Sequence, residues 1–417
     1  MPKACDACRA RKLKWDISSS GSESSRAWTE TALPVVPAPS LALTTVHPSV
    51  NQTQHDFSFF LHTIYATWPI IHADEFRAKL RRGEDDLDFQ LLVHALDLLQ
   101  QTYLHAFLPT DTTDMRVRAR IAAIDQRRCT YDYAETATAD TVVVSLALFV
   151  ACIVLNKNKR ALLYLSEAGT LADIVTPRSR IEAMRIQRLQ ALVFITGGAT
   201  GLLTGDAAWE RSLPQTLRVE DLQSWYDSED DEKEGGDNTV RDLDRYAVRQ
   251  LRQMTRTYMA RQGCFGGWAD LILPDEDHTM SLPGTPTVRI TTADVRITQL
   301  WFSCERRPNN TATDLPESIG RQALAWARSL APNELRIVGL GKMVDIVASL
   351  VQRCGSGNGL HMDTGEVALL ATDLMAAIGT ADYEGKYTTA LAECQSMLGA
   401  VGRDMTQEMY VYVENLL

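Results

Sequence analysis

From Asp56 onward the apolar residues return at intervals of three and four, and this period constrains the fold more than any other property of the chain. Phe59, Phe60, Ile64 and Trp68 begin the pattern, and Phe76 and Leu80 continue it past Pro69. Leu91, Leu92, Leu96, Leu98 and Leu99 supply one broad face within Leu87–Phe107. The same spacing predicts helices over 116–126, 141–156, 159–174, 179–194 and 240–259, then over 292–302, 318–330, 333–353, 363–378 and 387–398. Strand alternation is convincing only over Thr287–Thr292, where a neighbouring helix can absorb it. The expected fold class is all-α, a multi-helical domain.

The chain has 417 residues, 45% hydrophobic and 23% charged, enough for a sizeable core. A formal net charge of -11 excludes a protein that coats nucleic acid with its whole surface, so any such contact has to be local. The longest apolar run, Thr141–Leu155, falls short of the roughly 20 residues that span a bilayer. It reads as a buried helix, and no membrane partner is expected. No apolar stretch follows Lys3, so no secretory signal is read there. Cys129, Cys152, Cys264, Cys304, Cys354 and Cys394 are scattered singly, as reduced thiols that serve as small core residues would be.

Composition divides the chain into a basic head (1–16), a Ser- and Pro-rich linker expected to be disordered (17–55), and a helical body in two halves (56–226 and 239–417). An acidic stretch (227–238) separates the halves. The core of that stretch, Asp227–Asp237, reads as a solvated loop, with an acidic activation segment as the alternative. Trp225 and Tyr226 lie just upstream, but no aromatics are interspersed within it.

The head holds the one locally specific motif, Cys5-Asp6-Ala7-Cys8-Arg9-Ala10-Arg11-Lys12-Leu13-Lys14. Two cysteines separated by two residues can place both sulfurs on one metal, and the cations that follow can meet DNA phosphates or a guanine edge. The same pair is also found as a redox dithiol, in a strand-turn-helix context that this segment lacks. The order of residue types resembles the opening of the fungal binuclear zinc-cluster transcription factors. In that family Cys-x2-Cys precedes Arg-x-Arg-Lys-x-Lys, and six thiolates share two zinc ions. The resemblance implies Cys5 and Cys8 as zinc ligands, Lys12 at a base edge with Arg11 beside it, and Arg9 and Lys14 on phosphates. Trp15 stands where the pattern has its third cysteine, and the next cysteine is Cys129. A structural zinc site takes about four ligands, so the head is expected to lack a metal-organised fold and to bind DNA weakly or not at all.

The body resembles the regulatory domain of the same family, of the middle-homology type and in its maltose- and sugar-regulator branch. The similarity runs through Phe59–His62 and Trp68–His72, Lys159–Ala168, Arg185–Thr196, Thr292–Trp301, and Leu335–Gly339 with the helix that follows. Where the family continues the Arg-rich helix with Glu-Arg, this chain has Gly197-Gly198-Ala199. The resemblance implies a nuclear transcription regulator that acts on CGG-type DNA half-sites as a homodimer or heterodimer under a small-molecule effector. It implies control of a metabolic or secondary-metabolite gene cluster. No heptad run lies between Ile17 and Gln54, so the coiled coil that often follows the cluster is missing there. The alternative function is a helical interaction protein without DNA binding that modulates an intact relative. An enzyme is not expected. There is no G-x-S-x-G or H-E-x-x-H, and Met343 after Gly339-Leu340-Gly341-Lys342 spoils a phosphate loop. His62 and His72 read as ordinary helix-end or core residues.

Overall fold

The apolar run of the sequence becomes the centre of the structure. In the computed structural model, which describes residues 50–83, 86–107, 109–204, 238–261, 286–305, 316–355, 364–382 and 385–400, the helix Ala139–Val154 is buried on every side over its first three turns. A helix that is apolar all round can only be stable inside other helices. We number the helices in chain order: α1 Val50–Thr63, α2 Ala73–Arg82, α3 Leu87–Phe107, α4 Asp111–Arg128, α5 Ala139–Val154, α6 Asn158–Ile174 and α7 Arg180–Thr204. The second half adds α8 Asn238–Arg261, α9 Pro286–Glu305, α10 Pro316–Ser329, α11 Pro332–Val338, α12 Leu340–Gly355, α13 Thr364–Ala381 and α14 over 388–400. The described residues form an all-α fold and contain no strand, and none of their helices is long and apolar enough to cross a membrane.

Around α5 pack α3, α6 and α7, with α4 lying against α3. The second half is organised on α9, which meets α8, α10, α11 and α12, while α13 closes over α10 and α12. The halves join where α8 lies along α7 and α11 reaches α3, so one continuous core runs through both. Local signals explain where several helices begin and end. Thr138 caps α5 and Thr110 caps α4, each in reciprocal exchange with a threonine three residues on. Gly83 ends α2 in the left-handed conformation (φ 63°) that glycine adopts without steric cost.

Three expectations are corrected, and one open alternative is decided. The linker was expected to extend to residue 55, but α1 begins at Val50, and Thr53, Asp56 and Phe57 are already buried. The helix expected over 333–353 is broken at Gly339, whose φ of 109° no other residue adopts easily, giving α11 and α12. The alternating Thr287–Thr292 segment takes its helical alternative and is the start of α9. Its threonine hydroxyls are satisfied within the helix, Thr291 on the Thr287 carbonyl at 2.9 Å and Thr292 on that of Val288 at 2.9 Å. Thr287 instead donates to His62 O at 2.8 Å. The helix expected to end at Phe194 continues through Gly197-Gly198 to Thr204. A Cβ on Gly198 would lie 2.8 Å from the Tyr258 ring of α8, so the glycine lets the two halves approach closely.

Candidate functional site

The residues assigned to DNA and zinc, Cys5, Cys8, Arg9, Arg11, Lys12 and Lys14, lie outside the described residues, as does the acidic core Asp227–Asp237. What the described residues bring together is a set of buried charges on α7. Arg185 and Arg188 are three residues apart and so share one helix face, here turned inward. Below them the chain from Trp68 to His72 turns sharply at Pro69, leaving carbonyls without helical partners. Arg185 Nε donates to Ile70 O at 3.2 Å, and a terminal nitrogen of Arg188 donates to Pro69 O at 3.4 Å.

Each guanidinium also takes a carboxylate. Arg188 clamps Asp244 of α8 with two bonds, at 2.7 and 3.0 Å, and Tyr65 donates its hydroxyl to the same carboxylate at 2.5 Å. Arg185 donates to Asp140 at 2.6 Å, and Lys79 of α2 donates to the other oxygen at 3.2 Å. Burial opposes the charged form of Asp140, yet Arg185 and Lys79 overcome it and hold the pKa below the ordinary carboxylate range. Asp244 behaves alike: burial works against ionisation, while Arg188 and the Tyr65 hydroxyl outweigh it. Burial disfavours the Lys79 ammonium, and Asp140 more than compensates, so its pKa is raised.

The Arg185 cluster borders a cleft. The cleft, of about 590 Å³, lies above it, with Asp140, Arg185, Lys79 and Glu75 among its lining residues. One wall is the start of α3 and the α4–α5 turn, where Asp88 accepts hydrogen bonds from Tyr131 at 2.5 Å and Thr138 at 3.0 Å. Burial pushes the Asp88 pKa up, and those two hydroxyls offset this only in part. The opposite rim is the start of α7, with Arg178, Ser179 and Glu182; Glu182 accepts the backbone N–H of Arg178 at 2.7 Å. His72 caps α2 by accepting from the Glu75 N–H at 3.3 Å and lines a water-sized recess beneath the cleft.

Among the described residues no three His, Cys, Asp or Glu side chains converge as metal ligands. No family model, no curated protein and no solved structure matches this chain.

Sequence reasoning found Arg185 only as part of an Arg-rich helix and did not single out Asp140, Lys79, Glu75 or Asp88. One signal was available for Asp140, a lone charge at the head of the most apolar run in the chain.

Proposed function

We propose that this chain is a transcription regulator in which a basic N-terminal head addresses DNA and the all-helical body is the regulatory part. The carrying observation is the order Cys5-x2-Cys8-Arg9-x-Arg11-Lys12-x-Lys14 ahead of a wholly helical domain. A circumstance in the body lends weight. Trp68–His72 and Arg185–Thr196, two segments in which the body resembles the regulatory domain of the fungal zinc-cluster factors, are held together by the Arg185 and Arg188 bonds to the Trp68–His72 turn.

With Trp15 in place of a third cysteine, Cys5 and Cys8 hold zinc weakly at best, and contact with a CGG-type half-site rests on Arg9, Arg11, Lys12 and Lys14. Gel-shift titration of the full chain against a CGG-containing duplex tests this. The expected result is weak binding that falls steeply with salt and is lost on Arg11→Ala with Lys12→Ala. Absence of binding at any salt transfers the assignment to the second reading, a helical interaction protein that modulates an intact relative. About two zinc ions per purified chain would defeat the expectation that the head lacks a metal-organised fold.

A further inference from the structure

We infer that an arginine stripe along the outer face of α8 is a second contact surface for the phosphate backbone of duplex DNA, one that adds affinity without reading sequence. Arg241, Arg245, Arg249, Arg252 and Arg256 follow one another at steps of four, four, three and four residues, so they share one face of the helix. At about 1.5 Å per residue that face runs for roughly 22 Å. The opposite face carries Ala247, Leu251 and Tyr258 into the core, whereas none of the five arginines is buried. A stripe confined to one helix is the local kind of contact that a chain of net charge -11 allows.

Charge and chemistry select the partner. The helix contains no lysine and no glutamate, and of its two aspartates Asp244 is clamped by Arg188 on the inner side. Asp242 stands 3.6 Å from Arg245 with both side chains more than half exposed, and one solvated carboxylate does not offset five guanidinium groups. Burial and the neighbouring Arg252 both act against the charge of Arg256 and pull its pKa below the ordinary guanidinium value, a repulsion that an incoming anion relieves. Each guanidinium holds five donors in a fork matched to phosphate, so a partner within the chain leaves donors over. A duplex presents a phosphate about every 3.4 Å along each strand, and a stripe of this length meets about six of them on one strand. An acidic protein fits less well, because protein interfaces are anchored by apolar or aromatic side chains and the stripe between Arg241 and Arg256 has none.

The inference rests on the reading of this chain as a DNA-binding regulator, and the two fail in different ways. Fluorescence-anisotropy titration of the full chain against a CGG-containing duplex and a scrambled one, over a range of salt, tests it. The variant carrying Arg245→Gln, Arg249→Gln and Arg256→Gln is expected to bind both duplexes more weakly by the same factor, about tenfold or more. Its slope of log K against log salt is expected to be shallower by about 2.7, the share of three phosphates. Arg245→Gln alone, at an exposed position, is the second variant should the triple one fail to fold, with a slope shallower by about 0.9. Binding without preference for CGG that the triple variant removes supports the stripe and defeats the head reading. A CGG preference that disappears on Arg11→Ala with Lys12→Ala, beside an affinity and a salt slope that the α8 variants leave unchanged, overturns the inference and leaves the head reading in place. Poly-glutamate bound more tightly than either duplex at the same salt, and released by the triple variant, assigns the stripe to an acidic protein and overturns it too, as does the absence of duplex binding at every salt.

Discussion

One turn apart on α7, Arg185 and Arg188 use the same chemistry for different ends. Around Arg188 the parts are few: one guanidinium, one carboxylate, one phenol and the Pro69 carbonyl, tying α7 to α8 and to the segment after α1. That cluster is a seam between the two halves of the body. Around Arg185 there is more charge than a seam requires. Lys79 and Glu75 join the Arg185–Asp140 pair, and the group forms the floor of a cleft. Two buried ion pairs on one helix therefore need not share a role, and what separates them is the space and surplus charge beside them.

The sharpest way to break this comparison is to remove each carboxylate in turn. Asp140→Ala strands Arg185, whose side chain is 8% exposed, and leaves Lys79 unmatched as well. Loss of one partner from a pair this deeply buried is expected to cost about 3–5 kcal/mol. Asp244→Ala is expected to cost less, about 1.5–3 kcal/mol, because the Asp244 side chain is 33% exposed and water can reach the vacated place. Urea denaturation midpoints of the two variants check the order. Equal losses would mean that the two clusters differ in nothing that matters for stability.

Acid sharpens the comparison next. Both carboxylates have pKa values below the ordinary range in the folded protein. Their stabilisation is therefore fully present above the unfolded value of about 3.9 and is lost as pH falls through the folded pKa. Asp140→Asn keeps an acceptor for Arg185 but no longer titrates. It is expected to flatten the acid limb of a stability-against-pH curve while lowering the neutral plateau by less than Asp140→Ala. An acid limb as steep as in the parent would assign it to other groups.

The helical class was legible because burial repeats along a helix face. Residues 91, 92, 96, 98 and 99, read from spacing, are all in the core. Helix ends were legible less often. Gly339 breaks a helix and Gly198 does not, and which outcome holds depends on the partner each one meets: for Gly198 the Tyr258 ring, which is distant in sequence. The Arg185 cluster was harder still. Its members come from α2, α5 and α7, and ion pairs between residues 79, 140 and 185 leave no local period to detect. The alternating Thr287–Thr292 segment was open to both readings because a threonine satisfied by a backbone carbonyl within its own helix looks, in sequence, like a strand residue.

The smallest effect separates the two cations that share Asp140. Lys79 is half-buried, bonds Asp140 at 3.2 Å and stands 5.7 Å from the centre of the Phe89 ring. Lys79→Met keeps much of the stem packing and leaves Asp140 with its stronger partner Arg185, so the expected loss is only about 1 kcal/mol. A urea midpoint lowered by about that amount is the expected outcome, and it marks Arg185 as the partner that holds Asp140. A loss as large as that of Asp140→Ala would make Lys79 the principal tie instead.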